Sequence, residues 1–160
     1  MREIEAAARK VFTQRGFAGA SIAEIAAEAG VAEGTIYKFF DTKRDLVIKV
    51  LETWYRGMMD EFHAHLPGIA GARNKVRYIV WQHLRSLRDN PDLARLCWNE
   101  VRNSGDYYQT SIYGLNRQYT RVLVEACRDG VASGEFRPNL PISIVRDLIF
   151  GGVDHHISSF

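Results

Sequence analysis

Residues Ser21 to Phe40 read S-I-A-E-I-A-A-E-A-G-V-A-E-G-T-I-Y-K-F-F, which predicts two short helices joined by a tight turn at Gly30. Ser21 and Glu24 form a capping box: the serine oxygen meets an orphan N–H, and the glutamate reaches back. Ile22, Ile25, Ala26 and Ala29 lay an apolar stripe along barely two turns. Gly30 stands where a left-handed C′ residue is needed, and Val31 supplies the hydrophobic contact of such an ending. In the second helix Ile36 and Phe40 share a face, with Phe39 at its border. Glu33, Thr35, Tyr37 and Lys38 are left pointing outward, and Gly34 permits close backbone approach in the first turn. Helical hairpins of this kind occur as plain packing units and as devices that place a helix in the major groove. The outward hydroxyl, phenol and amine favour the second use.

Upstream, Ile4, Ala7, Ala8, Val11 and Phe12 recur at the spacing of one helical face over residues 3 to 15, and Gly16 stops that helix. With this support and the start of the next helix, residues 4 to 46 read I-x-x-A-A-x-x-V-F-x-x-x-G-F-x-G-x-S-x-x-x-I-A-x-x-A-G-V-A-x-G-T-I-Y-x-F-F-x-x-K-x-x-L. This pattern resembles the DNA-binding domain of the TetR family of bacterial transcriptional regulators. The resemblance implies that Ser21, Thr35, Tyr37 and Lys43 hold backbone phosphates, which sets register without reading sequence. It implies base reading by Glu33, Thr35 and Lys38; lysine can donate to guanine, and glutamate can accept from cytosine. Two positions depart from the family pattern. Ala32 stands where a capping serine or threonine is common, and the basic arm before the first helix is almost absent.

Downstream, a helix of about 24 residues, roughly 36 Å long, runs from Asp41-Thr42-Lys43 to Leu66. Leu46, Val47, Val50, Leu51, Trp54, Met58 and Phe62 lie along it, and Pro67-Gly68 ends it. Residues 73 to 89 predict a helix with Val76, Ile79, Val80, His83, Leu84 and Leu87 on one side. Asn90-Pro91 opens another. The pattern breaks near Ser104-Gly105-Asp106, and two further helices are expected near 109–133 and 141–160. Aromatics with polar tips are frequent here, as suits a cavity with an apolar wall and a few polar anchors. The resemblance places an effector pocket among the helices from Val47 to Tyr113, with Phe62, Trp81, His83, Leu84, Trp98 and Tyr108 as candidate lining residues. The last two helices carry apolar residues around more of their circumference than one core needs. Tyr119, Val122, Leu148, Gly151, Gly152 and His155 are therefore expected in a four-helix interface with a second copy.

The expected fold is all-α: a three-helix helix-turn-helix domain over 1–46, then a helical ligand-binding and dimerisation domain over 47–160. Family members usually continue beyond this point, so the chain is expected to be cut short at its C-terminus. Of its 160 residues 46% are hydrophobic and 25% charged, which is globular composition. The net charge is only +2, and residues 1 to 50 hold eight Lys/Arg against seven Asp/Glu, so DNA contact must come from the placement of a few charges. Cys97 and Cys127 sit in no C-x-x-C or Cys/His cluster, which speaks against a disulfide framework or zinc site and suits the cytoplasm. No apolar run approaches the ~18 residues of a membrane span. His63 and His65 fall on different sides of a helix, and Asp154-His155-His156 has no partner nucleophile or ligand. No catalytic residue, metal or cofactor is therefore assigned.

The expected function is a cytoplasmic homodimeric repressor released from double-stranded DNA by a small hydrophobic or aromatic effector, and not an enzyme. The alternative is a small-molecule-binding or catalytic helical protein whose hairpin is only structural. Replacing Tyr37 or Lys43 is expected to weaken binding to every duplex, whereas replacing Lys38 also relaxes base preference. Titrations on random and selected duplexes at several salt concentrations check this.

Overall fold

The computed structural model describes residues 1–158, with side chains described through residue 153. Every regular element among the described residues is helical. The α-helices are α1 (Arg2–Gly19), α2 (Ile22–Ala29), α3 (Glu33–Tyr37), α4 (Lys43–His65), α5 (Ala72–Asp89), α6 (Pro91–Cys97), α7 (Ser111–Ala132) and α8 (Ile142–Ser158). A π-helical turn over Trp98–Arg102 follows α6, and 3-10 turns occupy Leu66–Gly68 and Tyr107–Gln109. No described helix is long and apolar enough to cross a membrane.

The local signals act where they stand in the chain. Gly16, at φ 69°, breaks the regular course of α1, a conformation that favours glycine. Ser21 Oγ accepts from Glu24 N at 3.1 Å, and Ser21 N donates to the Glu24 carboxylate at 3.1 Å, so the capping box is formed in both directions. Gly30 is left-handed at φ 68° and ψ 31°, and Val31 N closes on Ala26 O at 3.0 Å. A second box opens α4: Thr42 Oγ1 accepts from Asp45 N, and Thr42 N donates to Asp45 Oδ2. Asn90 is different. Its side-chain amide donates back to Ser86 O at 2.9 Å, closing α5.

By proximity the chain forms two compact units that interleave in sequence. The first takes Met1–Trp54 together with Asp92–Tyr113; the second takes Tyr55–Pro91 and the chain from Gly114 onward. α6 and the turns after it thus belong to the same unit as the N-terminal residues. In the first unit Ile4, Ala8, Phe12, Ile25, Ile36, Leu46, Val47, Leu93, Val101 and Ile112 are buried. In the second the core gathers Phe62, Ile79, Tyr119 and Leu123.

Within the second unit, the turn after α7 shows how closely this core is fitted. Phe136 N donates to Gly130 O at 2.9 Å, which folds the phenyl ring back onto the helix. Glu135 then reaches the first turn of α5, accepting from Ala72 N at 2.8 Å and Arg73 N at 3.1 Å. Those backbone hydrogen bonds hold its carboxyl below the usual value, so the cap is present at neutral pH and fades only as acid protonates it. Gly130 is required for close approach: a Cβ there would stand 2.2 Å from the Phe136 ring and 2.8 Å from Ala72 Cβ. Gly130→Ala should destabilise the protein by about 1–3 kcal/mol, because overpacking displaces the ring. Urea unfolding of the two proteins measures the difference.

Candidate nucleic-acid interface and helical body

The hairpin presents the side chains the sequence assigned to it. Ser21, Glu33, Gly34, Tyr37 and Lys38 are exposed, Thr35 is half-buried, and Ile36 beneath them is fully buried. Tyr37 and Phe39 are 52% and 53% exposed, unusual for aromatics unless another surface covers them. The first turn of α3 has no side-chain cap, because Ala32 at its N-cap offers no oxygen. Ser21 already gives its hydroxyl proton to Glu24 Oε2 at 3.1 Å. Binding a phosphate there means exchanging that bond beside a carboxylate, which keeps the local field weak.

Lys43 has work the sequence did not reveal. Its ammonium donates to Phe17 O at 2.7 Å and Ala20 O at 2.8 Å and lies over the Phe17 ring at 4.4 Å. It thereby satisfies carbonyls left over at the end of α1 and fixes the connector that delivers Ser21. An ammonium has three donors, so one remains for a phosphate. Loss of Lys43 thus removes a support of the head as well as the phosphate contact assigned by resemblance.

The neighbouring residue, Arg44, ties α4 to a distant segment of the same unit. Arg44 forms a two-pronged ion pair with Asp106, Nη1 to Oδ2 at 2.5 Å and Nη2 to Oδ1 at 2.8 Å. Nη2 also donates to Ser104 Oγ at 2.8 Å, and Nε donates to the carbonyl of Glu100 at 3.4 Å. That carbonyl belongs to the π-helical turn, where the regular i→i−4 ladder is interrupted. The Arg44 hydrogen bond, followed by that of Ser104, holds the Asp106 carboxyl well below the usual carboxylate range, and the same pair raises Arg44. The sign follows: a lowered carboxylate stabilises the fold above its unfolded value and loses that effect only in strong acid. The pair therefore stays ionised throughout the neutral range.

The proposed effector-lining residues are shared between the two units. Phe62, Trp81, His83 and Leu84 belong to the second unit, whereas Trp98 and Tyr108 belong to the first. Phe62 and His83 are 1% and 6% exposed. Trp81 is 52% and Leu84 48% exposed on α5, and Tyr108 is 73% exposed. The buried side of α5 is instead Ala72, Ile79, Gln82, His83 and Ser86. The apolar periodicity favours Leu84, whereas tertiary packing buries the more polar side of α5.

Tyr119 needs correction. Expected to face a second copy, it is 2% exposed inside the second unit. Its ring stacks on Phe62 at 5.1 Å, and its hydroxyl meets His83 Nδ1 at 3.1 Å. Val122 is half-buried, Gly151 and Gly152 are exposed, and Leu148 is 70% exposed beside Ile144 at 56%. His155 lies outside the residues whose side chains are described.

Comparison with known proteins places this geometry. Residues 4–50 match the family described as bacterial regulatory proteins, tetR family. Residues 51–160 match the family described as YsiA-like protein, C-terminal region. The fatty acid metabolism regulator protein of Bacillus subtilis is 27% identical over 154 residues, covering 96% of this chain and 79% of that protein. The transcriptional repressor KstR2 of Mycolicibacterium smegmatis is 22% identical over 139 residues, covering 86% and 68%. Among solved structures, FadR of B. subtilis in complex with stearoyl-CoA superposes with a TM-score of 0.86 at 26% identity, covering 99% of this chain and 85% of that one. FadR of Bacillus halodurans gives 0.84 at 27% identity, covering 99% and 85%.

Asp106→Asn keeps the shape of the Arg44 partner but removes its charge. Amide exchange across residues 98–109 and the first turn of α4 should then quicken several-fold while far-UV helicity stays unchanged. Hydrogen-exchange mass spectrometry checks this.

Proposed function

The chain belongs to the tetR family of bacterial regulatory proteins, and from that premise we propose that it is a ligand-responsive transcriptional repressor. The observation that carries the reading is the exposed hairpin face, Glu33, Gly34, Thr35, Tyr37 and Lys38, held on a capped scaffold in a chain that matches regulators along nearly its whole length. Residues 1–46 act as the DNA-binding domain and residues 47–160 as the effector-binding and dimerising domain. No catalytic role is assigned.

One α3 reads too few base pairs for useful specificity, so two copies bind half-sites about 34–36 Å apart. Exposed Ile144 and Leu148 on α8, with Gly151 and Gly152 permitting close approach, support this helix as part of the contact between copies. Tyr37, Thr35 and the free donor of Lys43 hold phosphates, and Lys38 and Glu33 face base edges. The near-neutral head limits nonspecific affinity, which leaves sequence-specific contacts a larger share of binding.

The effector is a long-chain fatty acyl thioester. This reading draws on the stearoyl-CoA bound by the similar FadR and on the aromatic core of the second unit. Binding there lowers DNA affinity by favouring a second conformation, which requires unequal affinity for the two states. α4 contributes to both units, and its Arg44 also grips residues 100–106. A shift in either segment therefore bears on the head. The reading places the protein in the cytoplasm, where its DNA and acyl thioesters both occur.

Selection from a random duplex pool should recover a two-fold symmetric site. Stearoyl-CoA should then weaken binding to that site at least about tenfold, a coupling of roughly 1.4 kcal/mol. Acetyl-CoA, lacking the apolar chain, should not. Absence of sequence preference, or indifference to every long-chain acyl thioester, contradicts the reading.

A further inference from the structure

The inner side of α5 is more polar than a packing helix needs. Of its five buried side chains three are Gln82, His83 and Ser86, while Trp81 and Leu84 remain exposed. A helix that only filled a core would have been turned to bury the tryptophan and leucine. Gln82 is 6% exposed, and its Oε1 is buried with no hydrogen-bond partner. Buried amide oxygens are nearly always satisfied, and an unsatisfied one opposes folding unless something else uses it.

The surroundings of the next residue indicate what kind of molecule would use it. His83 meets Tyr119 OH at 3.1 Å and the Phe150 ring edge-on at 4.8 Å. Tyr119 stacks on Phe62 at 5.1 Å and lies 5.7 Å from Phe150. A wall of three aromatic rings thus adjoins α5 at His83, the residue next to Gln82, all within one compact unit. Apolar wall and isolated polar anchor together are the makings of a site for an amphipathic molecule.

Resting on the acyl-thioester reading above, we infer that Gln82 is the polar anchor of the effector site, its amide oxygen accepting from an N–H of the ligand. The apolar chain lies against Phe62, Tyr119 and Phe150. This specifies the chemistry recognised. A free fatty acid ends in a carboxylate, which is acceptor-only at neutral pH and has no N–H to give Gln82 Oε1. An acyl thioester on a pantetheine arm carries amide N–H groups and satisfies it. With Oε1 turned to the site, the side chain favours the thioester over the free acid, because a buried polar atom left unpaired penalises the wrong ligand.

The test measures two properties of the full chain. Gln82→Leu, of similar size, removes the amide; Gln82→Met is a second variant with a more adaptable side chain. Calorimetric titration with stearoyl-CoA should show affinity at least tenfold weaker in both variants, while stearate binds the variants and the unaltered chain alike. Thermal unfolding without ligand should move the opposite way, with a midpoint higher by about 2 °C or more, because an orphaned polar group has been removed from the interior. A packing or structural amide cannot produce that pairing. Unchanged affinity for stearoyl-CoA in the variants, or a lowered midpoint in both, overturns the anchor role alone. Failure of the unaltered chain to bind stearoyl-CoA overturns the acyl-thioester reading beneath it.

Discussion

Two adjacent side chains at the start of α4, Lys43 and Arg44, fix the architecture of the first unit. One gathers the carbonyls of Phe17 and Ala20 from the end of α1. The other gathers Glu100 O, Ser104 and Asp106 from the segment after α6. One helical turn is thereby pinned to a connector before it and to a segment some sixty residues after it. The hydrophobic core of the unit is not directional and would tolerate small slips of helix against helix. A forked guanidinium on a carboxylate tolerates far less, since both N–H···O bonds must align together. Both residues are partly exposed, so their value lies in geometry more than in net stability.

The body shows the opposite arrangement. Its centre is aromatic, but the helix against it buries a glutamine, a histidine and a serine. A repressor of this kind must bind its effector without losing its fold, and must prefer one effector among many greasy molecules. An apolar wall alone discriminates weakly between chains of similar length. A buried polar group adds discrimination at some expense to stability, which is the usual relation between a core and a site set into it.

How much of this was legible follows from the distance over which each signal acts. Ser21 with Glu24, and Gly30 with Val31, are contacts within four or five residues, and both formed as read. The exposed face of α3 followed from Ile36 being its single inward residue. Arg44 and Asp106 lie 62 residues apart, and no local rule pairs them. The broken pattern at Ser104-Gly105-Asp106 marked only an interruption. On α5 the apolar periodicity marks the side of Leu84, and no local signal announces that packing buries Gln82 instead. Tyr119 was recognisable as an inward apolar position, but whether inward meant this chain's core or a second copy was undecidable until its neighbours were known. The interleaving of units was likewise invisible, because Asp92–Tyr113 reads as ordinary body sequence.

The central claim is that effector binding changes how two heads are presented to DNA, and spin-label distances between the two copies measure that directly. Gln14 on α1 is exposed, and both native cysteines, Cys97 and Cys127, are buried, so Gln14→Cys offers one accessible labelling position per copy. On a two-half-site duplex the label-to-label distribution should be narrow, as the fixed half-site spacing requires. Saturation with stearoyl-CoA should move that distribution by several ångströms and release the duplex. The same distribution in the DNA-bound and effector-saturated protein would contradict the claim.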